Sequence, residues 1–102
     1  MLQIEDLRDY LSNETIILTD HLLSRMRQRH IRFTDIKHAI ENGEIIEQYT
    51  EDYPFPSCLI NGNNIHVVCS IGEDRLYIIT AYHPSSVQWE DGGRKRRTNK
   101  GE

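Results

Sequence analysis

A chain of 102 residues with a formal net charge of −4 is long enough for one modest hydrophobic core and too short for two. Residues 1–91 carry 7 basic against 15 acidic side chains, while residues 92–102 carry 5 against 1. Such a body does not coat nucleic acid by bulk electrostatics, so any anion site must be local.

The opening stretch, with Glu5, Asp6, Arg8 and Asp9, does not read as a secretory leader. Residues 3–11 read as a short amphipathic helix, with Ile4, Leu7 and Leu11 at spacings of three and four. Ser12-Asn13-Glu14 breaks it, and residues 15–18, β-branched at Thr15, Ile16 and Ile17, suit a short opening strand. Thr19 is a good helix cap with Asp20 in the first turn, where the helix dipole favours a carboxylate. A second helix then runs to about His30 and stacks His21, Arg25 and Arg29 in one row beside Leu22, Leu23 and Met26. Arg25, Arg27, Arg29 and Arg32 are four of the body's seven basic residues.

Thr34 is placed to cap a third helix whose apolar face is Ile36, Ala39 and Ile40. Asn42-Gly43 ends it, with Gly43 expected as a left-handed residue. The period then changes from 3.6 to 2. Residues 44–50, 57–60, 65–70 and 75–82 read as strands. The proline-containing loop 51–56, the turn Asn61-Gly62-Asn63-Asn64 and the turn Gly72-Glu73-Asp74 separate them. Along residues 76–82 an unbroken alternation puts Leu76, Ile78, Thr80 and Tyr82 on one face. His83-Pro84 stops the sheet, and Trp89 is placed to staple the C-terminal segment onto the body.

The order predicts an α+β domain over residues 1–90, an antiparallel β-sheet meander with two helices packed on one face. Residues 1–14 form an N-terminal helical extension, and the polar, basic residues 91–102 are expected to be a disordered tail. Cys58 and Cys69, without metal or disulfide spacing, read as free thiols of a cytoplasmic protein. None of the histidines or cysteines has the paired spacing of a zinc site, so neither metal nor cofactor is expected.

Seven segments in order carry a resemblance: Thr19-x-His21, Arg25-Met26-x-x-Arg29, Gly43-Glu44-Ile45-Ile46-Glu47-x-Tyr49, Pro56-Ser57-x-Leu59-Ile60, His66-Val67-Val68, Thr80-Ala81-Tyr82-x-Pro84 and Trp89. Over residues 15–97 the chain resembles the bacterial family called domain of unknown function 4258. That family is similar to the RelE/BrnT/MqsR group of toxins, which set two helices against an antiparallel sheet. The resemblance implies a toxin of a type II toxin–antitoxin module, an endoribonuclease (mRNA interferase), and an antitoxin partner of zinc-finger type. It is an analogy of fold, and activity must be argued from the site.

Metal-independent RNA cleavage needs a base, an acid and cations at phosphorus. His21 and His66 are the acid or base candidates, imidazole being the side chain that needs no special tuning for either role; Arg25 and Arg29 suit phosphate as planar bidentate donors, and Tyr82 ends the last strand. Tyr49, Arg94, Lys95, Arg96 and Arg97 are the further RNA-contacting candidates, by stacking or charge. Each has a structural reading beside the functional one. Arg25 and Arg29, in particular, could pair with Glu44, Glu47 or Glu51. Three functions therefore stand open: a toxin-like ribonuclease, a non-catalytic module of the same fold that binds a zinc-finger antitoxin-like protein, and a stand-alone RNA-binding protein without cleavage, for which the stacking aromatics are too few. An exposed strand edge would permit a homodimer, and no membrane partner is expected.

Overall fold

The structure, a computed structural model, describes residues 1–98. Helix α1 (Ile4–Ser12) buries Leu7 and Leu11, one turn apart, in the core. On its flank Arg8 donates to the carbonyls of Ile40 at 2.9 Å and Gly43 at 3.0 Å. The segment read as an extension thus caps the end of another helix and closes the core.

Strand β1 (Ile16–Leu18) leads into α2 (Asp20–Arg29), where the Thr19 hydroxyl accepts from the Leu22 N–H at 3.1 Å. His30 ends α2 in the left-handed region at φ 56°. Helix α3 spans Phe33–Asn42 and so starts before Thr34. Its first turn is held by Asp35, whose carboxylate accepts the Arg32 N–H at 2.9 Å. Gly43 is not left-handed: its φ of −92° and ψ of −161° are extended. The glycine is required by space, because a Cβ would fall on the backbone carbonyl oxygens of Ala39 and Asn61.

Strands β2 (Glu44–Tyr49), β3 (Ser57–Gly62), β4 (Ile65–Gly72) and β5 (Arg75–Tyr82) form the antiparallel meander. Two-residue turns at Asn63-Asn64 and Glu73-Asp74 join β3 to β4 and β4 to β5, all four residues with φ between 52° and 63°. This is the geometry that matches strand twist. The sheet is not wholly antiparallel. β1 adds at the far edge, parallel to β5, in the order β1-β5-β4-β3-β2. A three-residue apolar strand carries no mark of its direction; α2 and α3 cross from one sheet edge to the other and set it.

Three helices, not two, close one sheet face over a core that includes Leu22, Ile36, Ile40, Ile60, Val67 and Ile78. Burying each such side chain contributes about 1.5–3 kcal/mol. Cys58 and Cys69 are free thiols at paired positions of β3 and β4, both fully buried. Burial pushes the Cys58 thiol up to about 12 and that of Cys69 well above its usual value. A thiol-reactive dye is therefore expected to label neither cysteine in the native protein and both after denaturation, read by absorbance.

Two bulges set which residues face the other way. On β2 the register slips between Ile45 and Glu47. Between β4 and β5 it slips at Val68/Cys69, so Cys69 pairs with Ile78 but Val68 with Thr80. The extra residue, Ile79, reverses parity. Leu76 and Ile78 face the helices, whereas Thr80 and Tyr82 face away, so the single face expected for these four is divided. No helix among the described residues is long and apolar enough to cross a membrane.

The basic segment expected to be a disordered tail forms a hairpin as far as it is described, β6 (Trp89–Glu90) with β7 (Lys95–Arg96). Gly92 and Gly93, at φ 64° and 86°, make its turn. Ion pairs fasten it: Arg94 to Glu44 at 2.7 Å, Arg96 to Glu47 at 2.7 Å and Arg97 to Glu90 at 3.4 Å. Composition alone gives no sign of these partners, which lie up to 50 residues away. Residues 99–102 of the expected tail lie outside the described residues.

Candidate functional site

On the face turned away from the helices, strand register lines up polar side chains in rows. Glu44 pairs with Asn61, Asn61 with His66, and His66 with Tyr82. Glu47 and Tyr49 lie further along β2, Tyr49 directly opposite Ser57. The β6–β7 hairpin lies over the first row, with Gly92 O accepting from Asn61 Nδ2 at 3.2 Å.

His66 is fully buried. Its Nε2 lies 2.7 Å from the Gly93 carbonyl and its Nδ1 3.2 Å from the Tyr82 hydroxyl. A carbonyl only accepts, so Nε2 carries the proton of the neutral ring and Nδ1 accepts from Tyr82. Trp89 stands edge-on to the imidazole at 4.4 Å, and the Arg96 guanidinium lies 4.6 Å over the tryptophan ring. Burial lowers the His66 pKa below its usual 6.5, against the Gly93 hydrogen bond and the Glu47 charge. Gly93 suits its place twice over. Its φ favours glycine, and a Cβ there would meet Asn61 Oδ1 at 2.9 Å and His66 Nε2 at 3.3 Å.

Tyr82 is half-buried. Burial raises its phenol above the usual 10.0, while the charges of Arg96 and Arg29 oppose the rise. Arg29 comes from α2 and donates to the Ala81 carbonyl at 3.0 Å. That bond caps the edge of β5 beyond the reach of β1. Burial would raise Glu47 too, but hydrogen bonds from Arg96 and Tyr49 outweigh it and hold the carboxyl below 4.5. Tyr49 is pushed up to about 12 by burial and by its bond to Glu47.

The structure therefore brings Arg29, His66, Tyr82 and Arg96 to one end of the sheet, with Tyr49 joined through Glu47. His21 is exposed in the first turn of α2, and Arg25 donates to Gln28 on its own helix at 2.8 Å. Neither is hydrogen-bonded to His66 or Tyr82. Glu44 and Glu47 are taken by Arg94 and Arg96 rather than by Arg25 and Arg29. Lys95 and Arg97 lie on the hairpin's exposed surface. Sequence reasoning missed Glu47, Asn61 and Gly93 as site residues, since each is defined by a long-range partner. Among the described residues no group of three or more histidine, cysteine or acidic side chains could hold a metal ion.

The sequence model of a family described as Domain of unknown function (DUF4258) matches residues 18–83. His66, Tyr82, Glu47 and Arg29 fall inside that match; Trp89, Gly93 and Arg96 lie beyond it. No curated protein and no solved structure matches the chain. With 66 of 102 residues covered by the match, the chain belongs to the DUF4258 family.

Proposed function

We propose that the chain is a toxin-like, metal-independent endoribonuclease of a type II toxin–antitoxin pair, acting in the cytoplasm, with a zinc-finger antitoxin as its partner. The observation that carries this reading is the locked His66 tautomer, which leaves Nδ1 as an acceptor for the Tyr82 proton. A hydroxyl held by a base that a third group orients is the arrangement of an activated oxygen.

In the proposed reaction Tyr82 Oη takes the proton of an RNA 2′-hydroxyl while its own proton passes to His66 Nδ1. The 2′-oxygen attacks phosphorus, and Arg29 and Arg96 balance the charge on the phosphorane oxygens. The bond to the 5′-oxygen then breaks, and the proton returns from His66 through Tyr82 to that oxygen. The products are a 2′,3′-cyclic phosphate and a 5′-hydroxyl. Glu47 acts as a positioning residue that aims Arg96.

The second reading is a non-catalytic module that binds the zinc-finger partner. It is favoured by the acidic body and by the complete burial of His66 beneath Trp89 and Gly93. One assay separates the two. Purified wild type is expected to cut single-stranded RNA to cyclic-phosphate ends, and Tyr82→Phe to lose at least about 100-fold in rate with an unchanged circular dichroism spectrum. Intact RNA with the wild type would remove the catalytic reading in favour of the binding module. Equal cutting by both proteins would remove the Tyr82–His66 relay.

A further inference from the structure

The β6–β7 hairpin covers Asn61 and His66 without joining the sheet beneath it. Its two strands pair only with each other. Its other backbone hydrogen bonds close within residues 85–97: Trp89 N–H to Ser85 O at 2.9 Å, Gly93 N–H to Glu90 O at 3.2 Å and Arg97 N–H to Gln88 O at 2.8 Å. Among the described residues no backbone-to-backbone bond ties this segment to the five-stranded sheet. It can therefore move as one piece and leave the main ladder whole. Ser85, Ser86 and Val87, all exposed, form the connection on which it turns.

Side chains hold it down. Asn61 Nδ2 and His66 Nε2 donate to the carbonyls of Gly92 and Gly93, and Trp89 supplies the apolar contact. Arg94 and Arg96 pair with Glu44 and Glu47, and their side chains are 55% and 60% exposed. Ion pairs in such settings are weak and screened by salt. The closed arrangement also carries a defect: Asn61 Oδ1 is buried against Gly93 with no hydrogen-bond partner. An acceptor left without a donor opposes closure, and water satisfies it once the cover lifts.

From these observations we infer that the hairpin is a strap that lifts as a unit to uncover Asn61 and His66, with the Arg94–Glu44 pair as one of its fastenings. Closed, it fixes the His66 tautomer through the Gly93 carbonyl; open, it frees Nε2 and hydrates the ring. The inference goes beyond the proposed function and holds under either of its readings, because it concerns access to His66 and not what reaches it.

Native-state amide hydrogen exchange of the full chain, followed by NMR at urea concentrations below the unfolding transition, tests this. The Trp89, Gly93 and Arg97 amides are expected to share one opening equilibrium, with protection at least about 100-fold below that of Ile60 and Val67, which pair in the middle of the sheet. Their exchange should respond little to urea, since lifting the strap exposes far less surface than unfolding the domain. Glu44→Gln is expected to speed exchange of the three strap amides about threefold and to leave Ile60 and Val67 unchanged. Strap amides with the protection and urea slope of Ile60 and Val67 would mean that the hairpin opens only when the whole domain unfolds, which overturns the inference. So would strap amides with no protection, three amides with unrelated protections, or a Glu44→Gln protein whose strap exchanges as in the wild type.

Discussion

Gly43→Ala is expected to lower the free energy of unfolding by at least about 3 kcal/mol, at the top of the range for overpacking. A methyl at this position would fall on two carbonyl oxygens, those of Ala39 at the end of α3 and Asn61 in β3. Both belong to backbone and neither can rotate away. Gly62 presses on the same point from the other side, where an added Cβ would lie 2.8 Å from Ala39 O and 2.9 Å from Gly43 Cα. Relief requires α3 to lift from the β2–β3 pair, which strains the Gly43 N–H bond to Ala39 O at 2.7 Å and the Arg8 bond to Gly43 O. Against a typical total of about 5–15 kcal/mol such a loss is a large fraction, and urea denaturation measures it as a lower midpoint. Gly92→Ala is the control. Nothing lies within 4 Å of its Cβ position, and only its φ of 64° opposes a side chain, so the cost should stay near 1–2 kcal/mol. A Gly43→Ala midpoint equal to that of the wild type would show that α3 and the sheet are less closely packed than the structure has them.

How far the sequence reveals this molecule depends on whether a feature is local. The Thr19 cap and the turn read at Asn61-Gly62-Asn63-Asn64 are written in neighbouring residues; the cap is seen in the structure, and the turn is seen at Asn63-Asn64, with Asn61 and Gly62 still in β3. Features set by distant partners are different. Counting by twos from Leu76 puts Tyr82 on the buried face, yet one extra residue at Ile79 turns it to the opposite face, across from His66. A bulge of this kind has no compositional signature. Gly43 does end α3, as its residue type suggests, but in an extended rather than left-handed conformation, and half of the crowding that requires a glycine comes from Asn61, eighteen positions on.

The site divides in the same way. His66, Tyr82, Arg29 and Arg96 are singled out by residue type, and the fold brings them to one end of the sheet. Glu47 and Gly93 became visible only once the hairpin was seen to cover the face. The row His21, Arg25 and Arg29 lies along α2 as helical periodicity requires, but periodicity does not say which way a row looks. Only Arg29 reaches the β5 edge.

The hairpin's grip on His66 makes Trp89→Ala the second large effect, an expected loss of about 3–5 kcal/mol. Trp89 is 4% exposed, stands edge-on to His66 and supports Arg96 on its ring. Its removal leaves a cavity, ends the cation–π contact and admits water to the imidazole. The last of these gives the variant a signature in pH as well as in stability. In the wild type burial lowers the His66 pKa below the unfolded value of 6.5. As pH falls below 6.5 the unfolded chain therefore binds a proton that the native ring refuses, and stability declines towards the native pKa. Glu47 and Asp35 act in a lower window. Their folded pKa values lie below 4.5 and 3.8, so their contribution is present above those values and lost beneath them. Chemical denaturation between pH 6.5 and 5 should then show a decline in wild-type stability and a flatter profile in Trp89→Ala, whose hydrated imidazole titrates nearly as it does in the unfolded chain. A Trp89→Ala protein as stable as the wild type, or one with the same acid-side slope, would mean that the hairpin does not seal His66.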